Sequence, residues 1–272
     1  MTLKFMNIKN GTITDNNLRL KEKIRLFWDK KPCGTFGVFS DDIDRDYFDK
    51  IRERRYRLEP FIKEAVGFEK LKSKKVLEIG CGVGADGIEF ALAGADYTGI
   101  DASQKSLELA KKNFQFNKMK ANLELADAEN LPFSNDIFDF VYSWGVLHHT
   151  PDMEKAINEV YRVLKPGGSF CIMLYNRYSL VGLQLYILYG LIRLKPFISL
   201  NYLFDKYHES PGTKAITDKE AYLFFKNFRN IEIKNIVTPY DVRIGRNRYL
   251  PKFIMNFIPS NVGFFKVITG KK

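Results

Sequence analysis

The segment Val76-Leu77-Glu78-Ile79-Gly80-Cys81-Gly82-Val83-Gly84 joins a short apolar run to three glycines at alternate positions. Glycine at that spacing lets a backbone turn sharply and approach a ligand with no Cβ in the way. Asp101 closes the next apolar run, 21 residues after Gly80, the separation at which a carboxylate can accept hydrogen bonds from ribose hydroxyls. Together they point to a nucleoside-containing cofactor. Dinucleotide folds use Gly-x-Gly-x-x-Gly, whereas here the pattern is Gly-x-Gly-x-Gly with Glu78 two residues ahead, and an acid there suits a cofactor bearing cationic groups. Glu78 has a competing role, bracing the loop by accepting from its amides. Cys81 sits mid-loop, where small size accounts for it and no neighbouring base activates a thiol.

The chain has three histidines. His148 and His149 precede Thr150-Pro151-Asp152, and imidazole is the side chain best matched to moving a proton near neutral pH. Either ring, His149 preferred, is a candidate general base or acceptor-orienting donor, against a competing role in capping and packing near Asp152. His208, in Tyr207-His208-Glu209-Ser210-Pro211-Gly212, is a candidate to complete the pocket. Upstream, the run Trp28 to Gly34 and Arg54-Arg55-Tyr56-Arg57-Leu58-Glu59-Pro60 offer guanidinium forks matched to a carboxylate or anionic acceptor; a solvated helix face with Glu59 pairing Arg55 is the alternative. No run of histidines and carboxylates has metal-ligand spacing near the turn, so no metal is expected. Cys33, Cys81 and Cys171 form no Cys-x-x-Cys, which argues against a disulfide framework or zinc site and for a reducing cytosol.

These groups must be positioned by the elements around them. Within 272 residues, residues 1–73 read as a charged, aromatic extension with helices near Leu18 to Phe27 and Tyr47 to Val66. From Lys74 strands alternate with helices: Lys75 to Ile79, Asp86 to Ala93, Tyr97 to Ile100, Gln104 to Phe116, Leu123 to Ala126, Ile137 to Ser143, Met153 to Leu164, Ser169 to Leu174. Such alternation predicts an α/β, doubly wound, mostly parallel, Rossmann-like sheet of seven strands, with ligands at the strand carboxyl ends. Four segments follow: a helical extension over 1–73, a cofactor-binding core over 74–175, an inserted apolar cap over 176–216, and the end of the sheet over 217–272. The last contributes a helix from Asp218 to Phe225 and strands near Ile231 to Val237 and Phe264 to Thr269, the last of which need not be parallel.

With those residues in view, the stretch from Lys74 to Tyr175 resembles the class I S-adenosylmethionine-dependent methyltransferases, specifically the small-molecule group that includes ubiquinone-type methylases. Glu78 to Gly84 looks like that family's first motif, which implies that the loop holds the methionine part of the cofactor. Asp101 looks like its ribose ligand, with Ile100 and Ala102 flanking the adenosine. In Asp127-Ala128-Glu129-Asn130-Leu131-Pro132-Phe133 the resemblance implies Asp127 accepting from the adenine amino group and Ala128 offering its amide. The run Phe138 to His149, including Ser143 and Trp144, resembles the fourth strand and the active-site turn, and Arg162 to Gly168 the turn before the fifth. The implied activity is methyl transfer to a small-molecule or lipid-like acceptor, its acceptor atom and the oligomeric state left open.

Charge narrows the partners. Of the net +11, residues 177–272 carry 16 basic and 6 acidic groups, or +10, and such a surface favours anionic partners. Nucleic-acid methylation is one alternative, prompted by Arg243, Arg246 and Arg248. Against it, the turn reads Ser143-Trp144-Gly145-Val146 and not Asn/Asp-Pro-Pro-Tyr. A non-catalytic cofactor-binding module is another. Leu180 to Phe197 is apolar on nearly all sides, so it either packs over the site or meets something greasy; with Arg193 and Lys195, peripheral contact with an anionic membrane is an expectation. Both readings favour an amphipathic acceptor, itself open to carrying negative charge. No N-terminal apolar leader and no run of about 18 apolar residues appears, so a cytoplasmic, at most peripherally bound protein is expected.

Overall fold

The computed structural model describes residues 4–35, 38, 42–244, 248–249, 252–255 and 257–272. The chain opens with helices α1 (Lys4–Lys30), α2 (Arg45–Leu58) and α3 (Ile62–Val66). Then come β1 (Lys75–Ile79), α4 (Ala85–Leu92), β2 (Asp96–Asp101), α5 (Gln104–Phe116), β3 (Asn122–Leu125), β4 (Phe138–Trp144), α6 (Met153–Val163) and β5 (Leu164–Tyr175). Beyond these lie α7 (Leu180–Tyr186), α8 (Leu200–Tyr207), α9 (Asp218–Phe224), β6 (Arg229–Ile236), β7 (Arg243–Ile244), β8 (Arg248–Tyr249), α10 (Lys252–Met255) and β9 (Phe265–Lys271).

The seven-stranded sheet runs β3-β2-β1-β4-β5-β9-β6. The first five strands are parallel, and β9 lies antiparallel between β5 and β6. The order reverses between β1 and β4, the switch point beside which an open α/β sheet leaves a crevice. Apolar layers cover both faces: Ile88, Phe90, Tyr97, Phe114, Tyr142 and Cys171 on one, Leu77, Val141, Ile157, Val160, Phe170 and Phe225 on the other.

The helix expected over Tyr47 to Val66 is broken. Pro60 lacks the N–H needed to continue it, and Glu59 ends α2 by donating its amide to Arg55 O. No loop separates α6 from β5, because Leu164 already pairs with Phe138 ahead of a register shift. Of the basic run Tyr240 to Tyr249, residues 245–247, Arg246 included, lie outside the described residues.

One of the fastenings of the N-terminal extension to the core is a buried carboxylate. Asp86, on α4, is 2% exposed and accepts from Arg55 Nε at 2.8 Å, Tyr56 Oη at 2.9 Å and Tyr142 Oη at 2.8 Å, with Arg55 Nη2 on its second oxygen. Glu59, 5% exposed, accepts from Trp144 Nε1 at 2.7 Å and pairs with Arg55 at 3.8 Å, so the expected i, i+4 pair is present but faces inward and not solvent. A buried ion pair adds little when intact, but removing one partner strands the other charge. Asp86→Ala should lower the unfolding free energy by about 3 kcal/mol, read from denaturant midpoints at constant slope.

Candidate active site

β1 ends by entering the glycine turn, and the end of β2 fixes that turn: Gly80 and Cys81 both donate their amides to Ile100 O, at 2.8 and 2.9 Å. Gly80 has φ +78°, and a Cβ there would lie 2.2 Å from Val146 Cγ2, in the turn after β4. Gly82 has φ +54°, and the nearest atom to a Cβ built on it, Cys33 O, is 3.8 Å away. Its amide donates to Asp101 Oδ2 at 2.8 Å, while Asp101 Oδ1 accepts from Ser103 N at 2.8 Å. One carboxylate thus holds the loop and, through the Ser103 amide, the residue whose hydroxyl caps the next helix by accepting from Ser106 N. Its enclosure raises the Asp101 carboxyl to about 6, against the pull of those two amides.

A cavity of about 550 Å³ opens at the switch point. Of the expected site residues, Gly80, Gly82, Asp101, Ala102, Asp127, Ala128, Trp144 and His149 line it. Glu78, Cys81, Gly84, Ser143 and His148 are not in its wall. Glu78 is buried behind the loop, accepts from Tyr97 Oη, and has its carboxyl raised well above the usual range by burial and by Asp86 nearby. This is the bracing alternative, with a side-chain hydroxyl as donor in place of loop amides. Gly84 faces Phe114 and Ala110. Ser143 Oγ donates to Ile79 O at 3.1 Å, tying β4 to β1. Burial pushes the Cys81 thiol well up, which suits an inert core thiol.

The roof comes from α1, and none of the lining residues belongs to the 176–216 insertion. Leu18, Lys21, Ile24, Arg25 and Trp28 descend from α1, joined by Cys33. Lys21 Nζ reaches Asp127 Oδ2 and Glu129 Oε2, both at 2.6 Å, and Asp29 Oδ1 accepts from Ser103 Oγ at 2.8 Å. Trp28 meets the His149 ring edge-on at 5.3 Å. Lys21 carried no sequence signal, because its partners lie 106 and 108 residues away.

The two adjacent histidines part company. His148 is fully buried, its ring 3.8 Å from that of Tyr175, with neither nitrogen hydrogen-bonded; burial lowers its pKa well below the ordinary value. His149 reaches the cavity and is backed by the insertion: Nδ1 lies 2.9 Å from Ser210 Oγ and 3.1 Å from Thr213 Oγ1. Two hydroxyls thus hold Nδ1, and Thr213 gives its own proton to Ser210 O at 2.6 Å. Nε2 is 3.4 Å from Glu209 Oε2, without hydrogen-bond geometry. His149, His208 and the Tyr175 hydroxyl, 2.7 Å away, hold the Glu209 carboxyl down to about 2. Its backbone is left-handed, at φ +50°, a strained setting for glutamate. The expected pocket residue His208 instead packs against Phe204 and Phe264, and its neighbour Glu209 takes the place beside His149. Atoms of His148, His149 and Glu209 converge within 4.8 Å of one another, a grouping that spacing along the chain did not reveal.

Residues 77–172 match a family model described as a methyltransferase domain. Over this core the chain is similar to S-adenosylmethionine-dependent methyltransferases of class I. Methyltransferase GfsG of Streptomyces halstedii is 30% identical over 145 residues, 50% of this chain and 51% of that protein. The ubiquinone biosynthesis O-methyltransferase of Coxiella burnetii is 32% identical over 120 residues, 42% of this chain and 51% of that protein. The chain thus spans about half the length of these curated relatives. A solved SAM-dependent methyltransferase from Thermotoga maritima shares the fold, with a TM-score of 0.55 at 19% identity over 92% of this chain and 99% of that one.

The cavity fits the cofactor of such enzymes. Gly82 leaves open the space that a side chain would fill, and each Asp101 oxygen keeps a lone pair beyond the amide it accepts from. Gly82→Val should abolish S-adenosylmethionine binding in calorimetry, because a β-branched residue resists φ +54° and its methyls would enter the cradle. Circular dichroism should stay native. The Asp101 pKa gives a pH test. Ribose hydroxyls donate to the charged form, so affinity should be level above pH about 6 and fall by up to about tenfold per unit below it. Stability of the ligand-free chain should run the other way. The folded pKa is raised, so this group's contribution is full below the unfolded value of about 4 and is lost as pH rises through about 6.

Proposed function

We propose that this protein transfers the methyl group of S-adenosylmethionine to a small amphipathic molecule, with His149 receiving the acceptor's proton. The observation that carries this reading is one cavity whose wall includes both the glycine bend with its carboxylate, Gly80, Gly82 and Asp101, and the His149 imidazole. Ala102, Asp127 and Ala128 border the adenosine part; Glu78, Cys81, Gly84 and Ser143 support the loop from behind. Leu18, Ile24, Trp28, Val146 and Pro151 give the cavity an apolar wall, which suits an acceptor with a hydrophobic body.

S-adenosylmethionine supplies an electrophilic methyl group on a positively charged sulfur. The chain's task is to hold an acceptor lone pair in line with it and exclude water, and proximity and desolvation supply much of the acceleration. As the new bond to the methyl carbon forms, the carbon–sulfur pair returns to sulfur and the acceptor loses its proton. In this reading His149 takes that proton, and the Glu209 carboxylate, 3.4 Å from Nε2, stabilises the imidazolium that results. A name that includes ubiquinone biosynthesis, among the relatives, is in keeping with an amphipathic acceptor.

His149→Ala should leave the cofactor dissociation constant unchanged and cut kcat about 10²-fold; an unchanged kcat would remove the base from the reaction. Extracts incubated with the protein and isotopically labelled S-adenosylmethionine should yield a labelled, extractable methylated product by mass spectrometry. No product and no cofactor affinity would end the reading.

A further inference from the structure

After α7 the chain makes a wider π-helical turn, Ile187–Leu191, and then a loop to α8. This stretch turns only part of itself inward: Val181, Leu185 and Gly190 are buried, whereas Leu188 is 52% exposed, Ile192 67%, Leu194 89% and Phe197 99%. Leu194 is held at φ +55°, a conformation that leucine rarely adopts, so the outward tip is maintained against local preference. The exposed surface continues beyond the insertion. Leu183 and Ile187 share a groove of about 240 Å³ with Val242, Ile254 and Ile258, and on that C-terminal stretch Phe253 and Phe257 are 63% and 82% exposed. Two segments far apart in sequence thus contribute to one apolar face, and faces of this kind on soluble domains mark docking sites.

Charge identifies the occupant. Asp241, the one acid in the groove wall, is buried against Thr238; neither 178–204 nor 242–272 contains an Asp or Glu, while Arg193 and Lys195 fall beside the exposed tip. Two copies of such a face would set like charges against each other; an anionic lipid surface complements it, with apolar side chains entering the headgroup boundary and basic ones meeting phosphates. No helix among the described residues is long and apolar enough to cross a membrane, so the contact is one of lying on the surface.

We propose that this face, formed by α7, the π turn, the loop through Phe197 and the stretch around Phe253 and Phe257, docks the protein on an anionic bilayer. Flotation with phosphatidylcholine vesicles containing about 30% phosphatidylglycerol tests it. The wild type should float with these vesicles and not with pure phosphatidylcholine, and raised salt should weaken the association. The pair Leu194→Glu and Phe197→Glu, at two positions exposed enough to spare the fold, should weaken binding about tenfold or more; Lys195→Glu should weaken it chiefly at low salt. Flotation of the pair variant equal to wild type, or no wild-type flotation on anionic vesicles, overturns the proposal. So does light scattering showing a dimer that the pair variant splits, which would assign the face to a second copy. Calorimetry with S-adenosylmethionine on the same variant should match wild type; that separates docking from misfolding and from the methyl-transfer reading, which stands or falls on cofactor binding alone.

Discussion

Everything at the site depends on how tightly the bend after β1 is seated. Gly80 passes under Val146 with no room for even a methyl group, and Gly82 is held by a carboxylate from the neighbouring strand. The first contact fixes the bend against the turn after β4, and the second fixes it against the end of β2. Because β1 and β4 flank the point where the sheet order reverses, both contacts converge on the single crevice the topology leaves open. The buried groups behind the bend serve the same seating. Glu78 with Tyr97, and Asp86 with Arg55, Tyr56 and Tyr142, form a polar layer in which the carboxylates have partners, and it makes the N-terminal extension part of the core.

Local patterning made the core legible. Gln104–Phe116 is a helix over the residues its periodicity marks, and β1 spans the apolar run ahead of the glycines. These elements bury one face or both, so side-chain period reports them directly. Periodicity was silent on what the N-terminal helix covers. Trp28 stood out by type, but that α1 roofs the cavity, with Lys21 on Asp127 and Glu129, is a matter of tertiary approach. The insertion shows the same limit: of the two readings, packing over the site and meeting something greasy, the sequence does not choose. A helix apolar all round shows that something must cover it and not which side, and 176–216 contributes no wall to the cavity.

The histidines carry the same lesson at finer scale. Adjacent in sequence and alike in type, His148 and His149 differ only in where a 3-10 turn aims them. One ring lies in the core against Tyr175 without a polar partner; the other is gripped at Nδ1 by two hydroxyls and faces a carboxylate. Nothing along the chain distinguishes them, because Glu209, Ser210 and Thr213 lie some sixty residues away. The fold alone, shared with proteins below 25% identity, does not confer a reaction; what distinguishes this cavity is the imidazole that those hydroxyls hold in its wall.

The insertion therefore works from behind. Its 209–213 loop holds His149 through Ser210 and Thr213, and Lys214 donates its amide to His148 O at 2.9 Å. The same insertion carries Leu194 and Phe197 outward a few turns earlier in the chain. Between them α8 buries Leu203 and Phe204 in the core, so the two ends of the insertion are joined by packed structure and not by a free linker. Whatever engages the outer face acts on an element that also braces the imidazole, and the left-handed backbone at Glu209 is where a shift of that element would first be felt.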